Sequence, residues 1–336
     1  VIIVNGVKML RPETIFNNAL LRALVQNMEL AGARRVIRSV LLPLLLPPWK
    51  VRKLRKRVEG HFRAYFPQFT ESEITHRGKA FVDHYLNKFA EDSITINLQA
   101  ERMNKWMQQY VVFSQIENFH TALEQFWKDQ RGMLLGSAHL GSPSFCLNAL
   151  AQLCFSMPRK PKARICLEPD VLAYPQVIER FRNLVRSFDF DVDFLTTDRN
   201  KKDVASDIAA ILNEGGAVTT NMDVMQGGKS DIPLPIFGCA KAKFPAIVGL
   251  AKMALRTGCL ILPWFSYRTT EGFVIRFEPH ISTDPLPQSS ISQDHPEVLA
   301  LSLQLCKIME SWICSYPEQW IYWDRFYHRL IKNPNP

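Results

Sequence analysis

The alternation of apolar and polar positions changes character near residue 131. Upstream, residues 12 to 130 read as mainly helical. Thr70 to Glu73, T-E-S-E, has the form of a capping box, and Ile74, Phe81, Tyr85 and Phe89 follow at the spacing of one helix face. Downstream, short apolar runs alternate with amphipathic stretches. Strands are predicted at 132 to 138, 163 to 167, 192 to 195, 217 to 222 and 260 to 267, with 273 to 278 as a hairpin partner of the last. Between them fall predicted helices at 145 to 155, near 174 to 187, near 201 to 213, near 245 to 256 and near 295 to 314. This order predicts an α/β fold, a central mixed sheet flanked by helices with an N-terminal helical layer. The division it suggests is 1–130, a helical region packing on the core, and 131–336, an α/β core ending in a helix and the aromatic tail Y-P-E-Q-W-I-Y-W.

Composition narrows the class. With 336 residues, 47% hydrophobic and 22% charged, the chain is long enough to bury a large core and is not of disordered type. Seven cysteines are scattered from Cys146 to Cys314 without a C-x-x-C or a metal-ligand spacing. Reduced thiols, a cytosolic location and no metal or prosthetic group are therefore expected. The nearest approach to a membrane span is V-L-L-P-L-L-L-P-P-W, Val40 to Trp49. It has ten residues and three prolines, where a span needs about 20 apolar residues.

Six positive charges in eight residues follow at once, Lys50 to Arg57. The apolar-then-basic order suits the surface of an anionic membrane, with peripheral attachment at the inner membrane face; a buried linker leading into a solvated helix face is the alternative. The net charge of +9 and pI near 9.2 favour acidic partners, either anionic lipid or an acidic carrier protein. Nucleic acid is not expected. Outside Lys50 to Arg57 and the cluster R-K-P-K-A-R, Arg159 to Arg164, the cations are dispersed and no nucleic-acid motif accompanies them.

The candidate chemistry centres on H-L-G-S-P-S, 139 to 144, directly after the apolar run at 132 to 138. An imidazole where a strand meets a glycine-containing turn is placed to act as general base on a hydroxyl or amine. Ser137, Ser142 and Ser144 lie close in sequence, but no G-x-S-x-G elbow accompanies them. Phe237 and Gly238 read as a tight turn. Arg268, at a predicted strand end, reads either as a surface ion pair or as a clamp for phosphate or carboxylate, and its fork geometry favours the clamp. Trp320, Tyr322 and Trp323 read as core packing.

Several separated landmarks together resemble the bacterial lipid A late acyltransferases, the lauroyl and myristoyl transferase branch of the lysophospholipid acyltransferase superfamily. They are V-E-G-H-F-R-A-Y-F-P-Q-F-T-E-S-E (58 to 73), I-E-N-F-H-T-A-L-E-Q-F with R-G-M-L-L-G-S-A-H-L-G, N-M-D-V-M-Q-G-G-K with L-P-I-F-G, L-P-W-F-S-Y-R, and Y-P-E-Q-W-I-Y-W. They span roughly residues 50 to 330 in the family's order. The resemblance implies a glycerol-phosphate-acyltransferase-like core and transfer of an acyl group from an acyl carrier protein or coenzyme A thioester, with His139 as general base. It also implies substrate contacts in the region of Gly141, Phe237, Gly238 and Arg268, to which Arg164 is added from the basic cluster.

The family's H-x4-D/E acid is replaced here by Ser144. Asp223, at the family's Asp position, is the first candidate to support His139, with Glu168 behind it. An amine acceptor, which needs less help from a base, is a second explanation: a soluble tailoring N-acyltransferase of a small amine metabolite. A catalytically impaired homologue that binds acyl groups or lipid is the third. The helix at 145 to 155 is apolar nearly all round and would line either the core or an acyl groove.

Overall fold

The computed structural model describes residues 2–4, 7–9, 26–41, 47–97, 100–142, 145–147, 149–150, 153, 163–167, 192–196, 204–224, 232–239, 242–287 and 291–323. The first elements are β1 (Ile2–Val4) and β2 (Val7–Met9), an antiparallel pair. Helices α1 (Leu30–Val36), α2 (Pro48–Tyr65), α3 (Glu71–Asn97) and α4 (Ala100–Tyr110) follow, with a π-helical turn at Ile37–Leu41 continuing α1. Next come β3 (Val111–Ser114), α5 (Ile116–Asp129), β4 (Met133–Ser137), β5 (Ala163–Leu167), β6 (Val192–Thr196), α6 (Val204–Asn213) and β7 (Ala217–Asn221). The chain closes with α7 (Pro245–Thr257), β8 (Leu260–Arg268), β9 (Phe273–Phe277), α8 (Pro296–Ser315) and a 3-10 turn at Pro317–Gln319.

Local chemistry explains the ends of several helices. α2, α7 and α8 each begin with proline in the first turn, where the missing N–H would have no intrahelical partner. The capping box before α3 forms reciprocally: the Thr70 N–H donates to Glu73 Oε2 at 2.8 Å, and the Glu73 N–H donates to Thr70 Oγ1 at 3.3 Å. α7 ends at Gly258 with φ +65°. A left-handed residue at that position suits glycine.

Seven strands form one mixed sheet in the order β3-β9-β8-β4-β7-β5-β6. β8, β4, β7, β5 and β6 run parallel, whereas β9 is antiparallel to β8 and carries β3 parallel to itself. β4 is central and wholly buried, and its residues alternate between two cores. Leu134 packs with α6, α7 and α8 on one face; Met133 and Leu135 pack with α1, α3, α4 and α5 on the other. An α/β protein with a mixed sheet covered by helices is thus observed. Among the described residues, α8 is the one helix long and apolar enough to cross a membrane, but Val298, Leu301, Leu305, Met309, Trp312 and Ile313 on it are buried in the core. The expected helix near 174 to 187 lies outside the described residues, and the one at 145 to 155 is described only in part, as helical.

The boundary expected at residue 130 needs correction, because β3 comes from the helical region and is an edge strand of the sheet. The short run Val111 to Ser114 lies between two long helices, so helical periodicity on both sides hid it. A buried ionic network joins the N-terminal helices to the sheet at a second place. Glu91 of α3 is fully buried. Its carboxylate is gripped by the Arg268 guanidinium through both oxygens, with Nη2 to Oε2 at 2.6 Å, and receives Arg34 Nη1 at 3.2 Å. His84, about two turns earlier on the same face of α3, meets the Gly141 carbonyl through Nε2 at 3.0 Å and the Arg268 Nε through Nδ1 at 3.5 Å. A carbonyl only accepts and a guanidinium N–H only donates, so Nε2 carries the proton and His84 is neutral. Burial, with the Arg268 charge second, pushes its pKa down to about 3; burial and Arg57 lower that of His61 to about 4.

Two stability predictions follow from these buried groups. Replacing Glu91 by Ala strands two guanidinium groups and should lower the unfolding free energy by about 3–5 kcal/mol, read by urea denaturation. The second concerns pH. An unfolded chain takes up protons at His84 and His61 near their ordinary value of about 6.5, whereas the fold refuses them. Stability is therefore fully present above about pH 6.5 and declines as pH falls from there toward about 3 to 4. His84→Asn should flatten that decline in a series of urea midpoints; an unchanged slope would show that His84 is not the titrating group.

Candidate active site

The site follows from strand register. β4 and β7 are parallel neighbours with Ser137 opposite Asn221. Two residues beyond each strand end stand His139 and Asp223, so they meet across the carboxyl edge of the sheet. This edge is also where the chain reverses its winding: after β4 it moves outward to β5, and after β7 it crosses to β8 on the other side of β4. In open α/β sheets that point opens a crevice for ligands.

Asp223 holds His139 by two bonds. The His139 backbone N–H donates to Oδ2 at 2.7 Å, and Nδ1 lies 2.8 Å from Oδ1. The same Oδ2 accepts Trp320 Nε1–H at 2.8 Å. Asp223 is fully buried, and three donors offset the cost of removing a carboxylate from water. Facing a carboxylate, Nδ1 carries the ring proton and Nε2 presents its lone pair. Asn221 Nδ2, a donor, stands 3.3 Å from Nε2, in agreement with that tautomer. The imidazole keeps 17% of its side-chain surface exposed, enough for a reactant to touch it.

The C-terminal tail finishes the construction. Leu140 and Trp320 form an antiparallel bridge, with Ile321 N–H donating to the His139 carbonyl at 3.2 Å and Gly141 N–H to that of Gln319 at 3.3 Å. Gln319 clasps the end of β8, accepting the Arg268 N–H at 2.7 Å and donating to the Arg268 carbonyl at 3.0 Å. The Tyr322 ring lies against the His139 ring at 4.6 Å between centroids. The tail thus holds the base from behind through its backbone and its partner acid.

The other expected site residues are disposed differently. Gly141 has φ +67°, and a Cβ there would lie 2.5 Å from the Ser266 carbonyl oxygen. Its N–H and C=O both have protein partners, which builds it into the frame of the site. Phe237 and Gly238 both have positive φ, 51° and 72°, between the bridged residues Ile236 and Cys239. This is the backbone of a type I′ turn. The Phe237 N–H donates to Glu310 Oε1 at 2.5 Å, and its ring packs on Tyr65, Phe66, Trp320 and Trp323. The turn backs the tail.

Arg268 requires correction as an open clamp: its fork is occupied by Glu91, and only 12% of the side chain is exposed. A buried carboxylate on α3, 177 positions before Arg268, has no local signal that would have paired the two. Arg164 requires correction as well. It is the second residue of β5, in register with Val218, three positions before Asn221 on a parallel strand, and so lies back from the carboxyl edge. Ser144 and Glu168 lie outside the described residues. Ser137 and Ser142 are buried.

Asn221 and Trp320 were missed as site residues. Alternation in a strand puts Asn221 and Asp223 on the same side, a signal present in N-M-D. For Trp320, a buried indole N–H calls for an acceptor, but its identity is a tertiary fact.

Fold and site together define an α/β protein with a His–Asp pair at the carboxyl edge of its parallel strands. The profile of the bacterial lipid A biosynthesis acyltransferase family matches residues 183–329. The match covers somewhat less than half of the chain and includes Asp223, the Phe237–Gly238 turn, Arg268 and the Gln319–Trp320 tail, while His139 lies before it. It supports the family relationship drawn from the separated landmarks. Comparison with curated proteins gives no match.

Trp320→Phe keeps the ring but deletes one of the three donors to a buried carboxylate. We expect a loss of about 1–3 kcal/mol by urea denaturation; an unchanged midpoint would mean that Asp223 does not depend on the indole.

Proposed function

We propose that the protein transfers an acyl group from a carrier-protein or coenzyme A thioester to a hydroxyl or amine acceptor, with His139 as general base and Asp223 as its supporting acid. The family match supports acyl transfer. The observation that carries the residue assignment is the 2.8 Å contact between His139 Nδ1 and Asp223 Oδ1, which directs the basic Nε2 away from the buried side.

The acceptor displaces Asn221 from Nε2 and gives up its proton there as its oxygen or nitrogen attacks the thioester carbonyl. The new acyl bond forms, the carbon–sulfur bond breaks, and the departing thiolate takes the proton from the imidazolium. During this passage the ring is positive, and the Asp223 carboxylate offsets that charge. Ser144 cannot do so, because a hydroxyl carries no charge. A carboxylate on Nδ1 supports the catalytic reading over that of a non-catalytic binder.

The test is thioester consumption with acyl carrier protein and with coenzyme A donors, with mass spectrometry of the acylated acceptor. His139→Ala should lower turnover by about 10²–10⁴, and Asp223→Asn by up to about 10⁴, the loss that follows neutralisation of the orienting acid in a serine protease. Wild-type turnover in His139→Ala, or no turnover of any thioester by the parent protein, would overturn the assignment.

A further inference from the structure

The structure sorts the six cations of Lys50 to Arg57 into two groups. Arg55 is half-buried and paired with Glu59 at 2.9 Å, and Lys50 and Arg57 are half-buried. Arg52, Lys53 and Lys56 are exposed and make no ion pair among the described residues. With Trp49 they occupy positions i, i+3, i+4 and i+7 of α2, which fall within roughly 100° of one helix face. Trp49 is 62% exposed, whereas five of the seven tryptophans are buried. Lys50 Nζ lies over the Trp49 ring at 5.3 Å, so the exposed indole sits among cations on this face of α2.

The opposite face of α2 is committed to the core. Val58, Phe62 and Phe66 are buried, and Phe62 and Tyr65 pack on Trp323 at 5.6 and 6.2 Å between ring centroids. Trp320, which donates to Asp223, touches Trp323 at 4.8 Å. The helix is therefore held rigidly against the tail that supports His139. Its exposed stripe begins about 20 Å along the helix from Phe62.

We propose that Trp49, Arg52, Lys53 and Lys56 form a docking stripe for an anionic lipid bilayer. The charges match anionic headgroups, and an indole at the rim of the stripe has its preferred place at the boundary between headgroup and acyl chain. An acidic protein would satisfy the cations but offers no headgroup boundary, the layer in which an indole flanked by cations is favoured. The inference stands on exposure and charge and does not depend on the acyl transfer proposed above.

Co-sedimentation of the full chain with phosphatidylcholine vesicles, with and without phosphatidylglycerol, tests it. The protein should sediment with the anionic vesicles, release as salt is raised, and bind the neutral ones weakly. Combining Arg52→Glu, Lys53→Glu and Lys56→Glu should weaken partition by at least about 100-fold, with an unchanged thermal midpoint and an unchanged rate of thioester consumption on soluble substrates. Trp49→Ala should weaken binding while leaving its salt dependence. Equal binding to both vesicle types, or wild-type binding by the charge-reversed protein, overturns the proposal. Loss of carrier-protein thioester turnover without loss of vesicle binding also overturns it, and would assign the stripe to a protein partner. Failure of acyl transfer in every arm would leave the vesicle result readable by itself.

Discussion

A single buried carboxylate gathers the site. Asp223 accepts the backbone N–H and the ring Nδ1 of His139 and the indole N–H of Trp320. The donors come from the end of β4 and the C-terminal tail and the carboxylate from the end of β7, so one side chain ties three distant segments to one point. Leaving a charge in that interior without donors would cost several kcal/mol. The cost is met only when all three segments are in place, which makes the position of the imidazole a property of the complete fold.

A second buried carboxylate does the same for the scaffold. Glu91 brings together α1, α3 and the end of β8 through Arg34 and Arg268, and His84 carries the connection to Gly141, two residues from His139. Gly141 fits there because its missing Cβ lets the turn lie against the Ser266 carbonyl. The N-terminal helices thus contribute to the site from behind, although none of the side chains described at His139 comes from them. β3 strengthens the point, since the sheet itself borrows a strand from that region.

Tail and turn complete the enclosure by two kinds of contact. Gln319 uses its amide as a substitute strand neighbour for Arg268, donating and accepting as a backbone would. Phe237 holds a left-handed conformation uncommon for a bulky residue, and its ring is stacked into the aromatic cluster of Tyr65, Phe66, Trp320 and Trp323. The energy of that packing offsets the local strain. Trp320 serves both systems, as a member of the cluster and as a donor to Asp223.

Periodicity in the sequence was enough to locate most of the strands and helices, because burial of alternate or i, i+3, i+4 positions is written in consecutive residues. The strand preceding H-L-G-S-P-S pointed to His139, and the family resemblance, not periodicity, to Asp223 as its candidate partner. Periodicity did not reveal β3, whose four residues are too few to interrupt the helical signal around them, nor the internal engagement of Arg268, whose partner lies 177 positions away in sequence. Nor could it assign Trp320 to Asp223 or Asn221 to the imidazole. Residue type and spacing determine which groups are present and on which face of a strand or helix they stand. Which donor meets which buried acceptor was decided only when the sheet set its register and the tail closed across it, since unpaired polar groups in an interior are satisfied by neighbours in space and not in sequence.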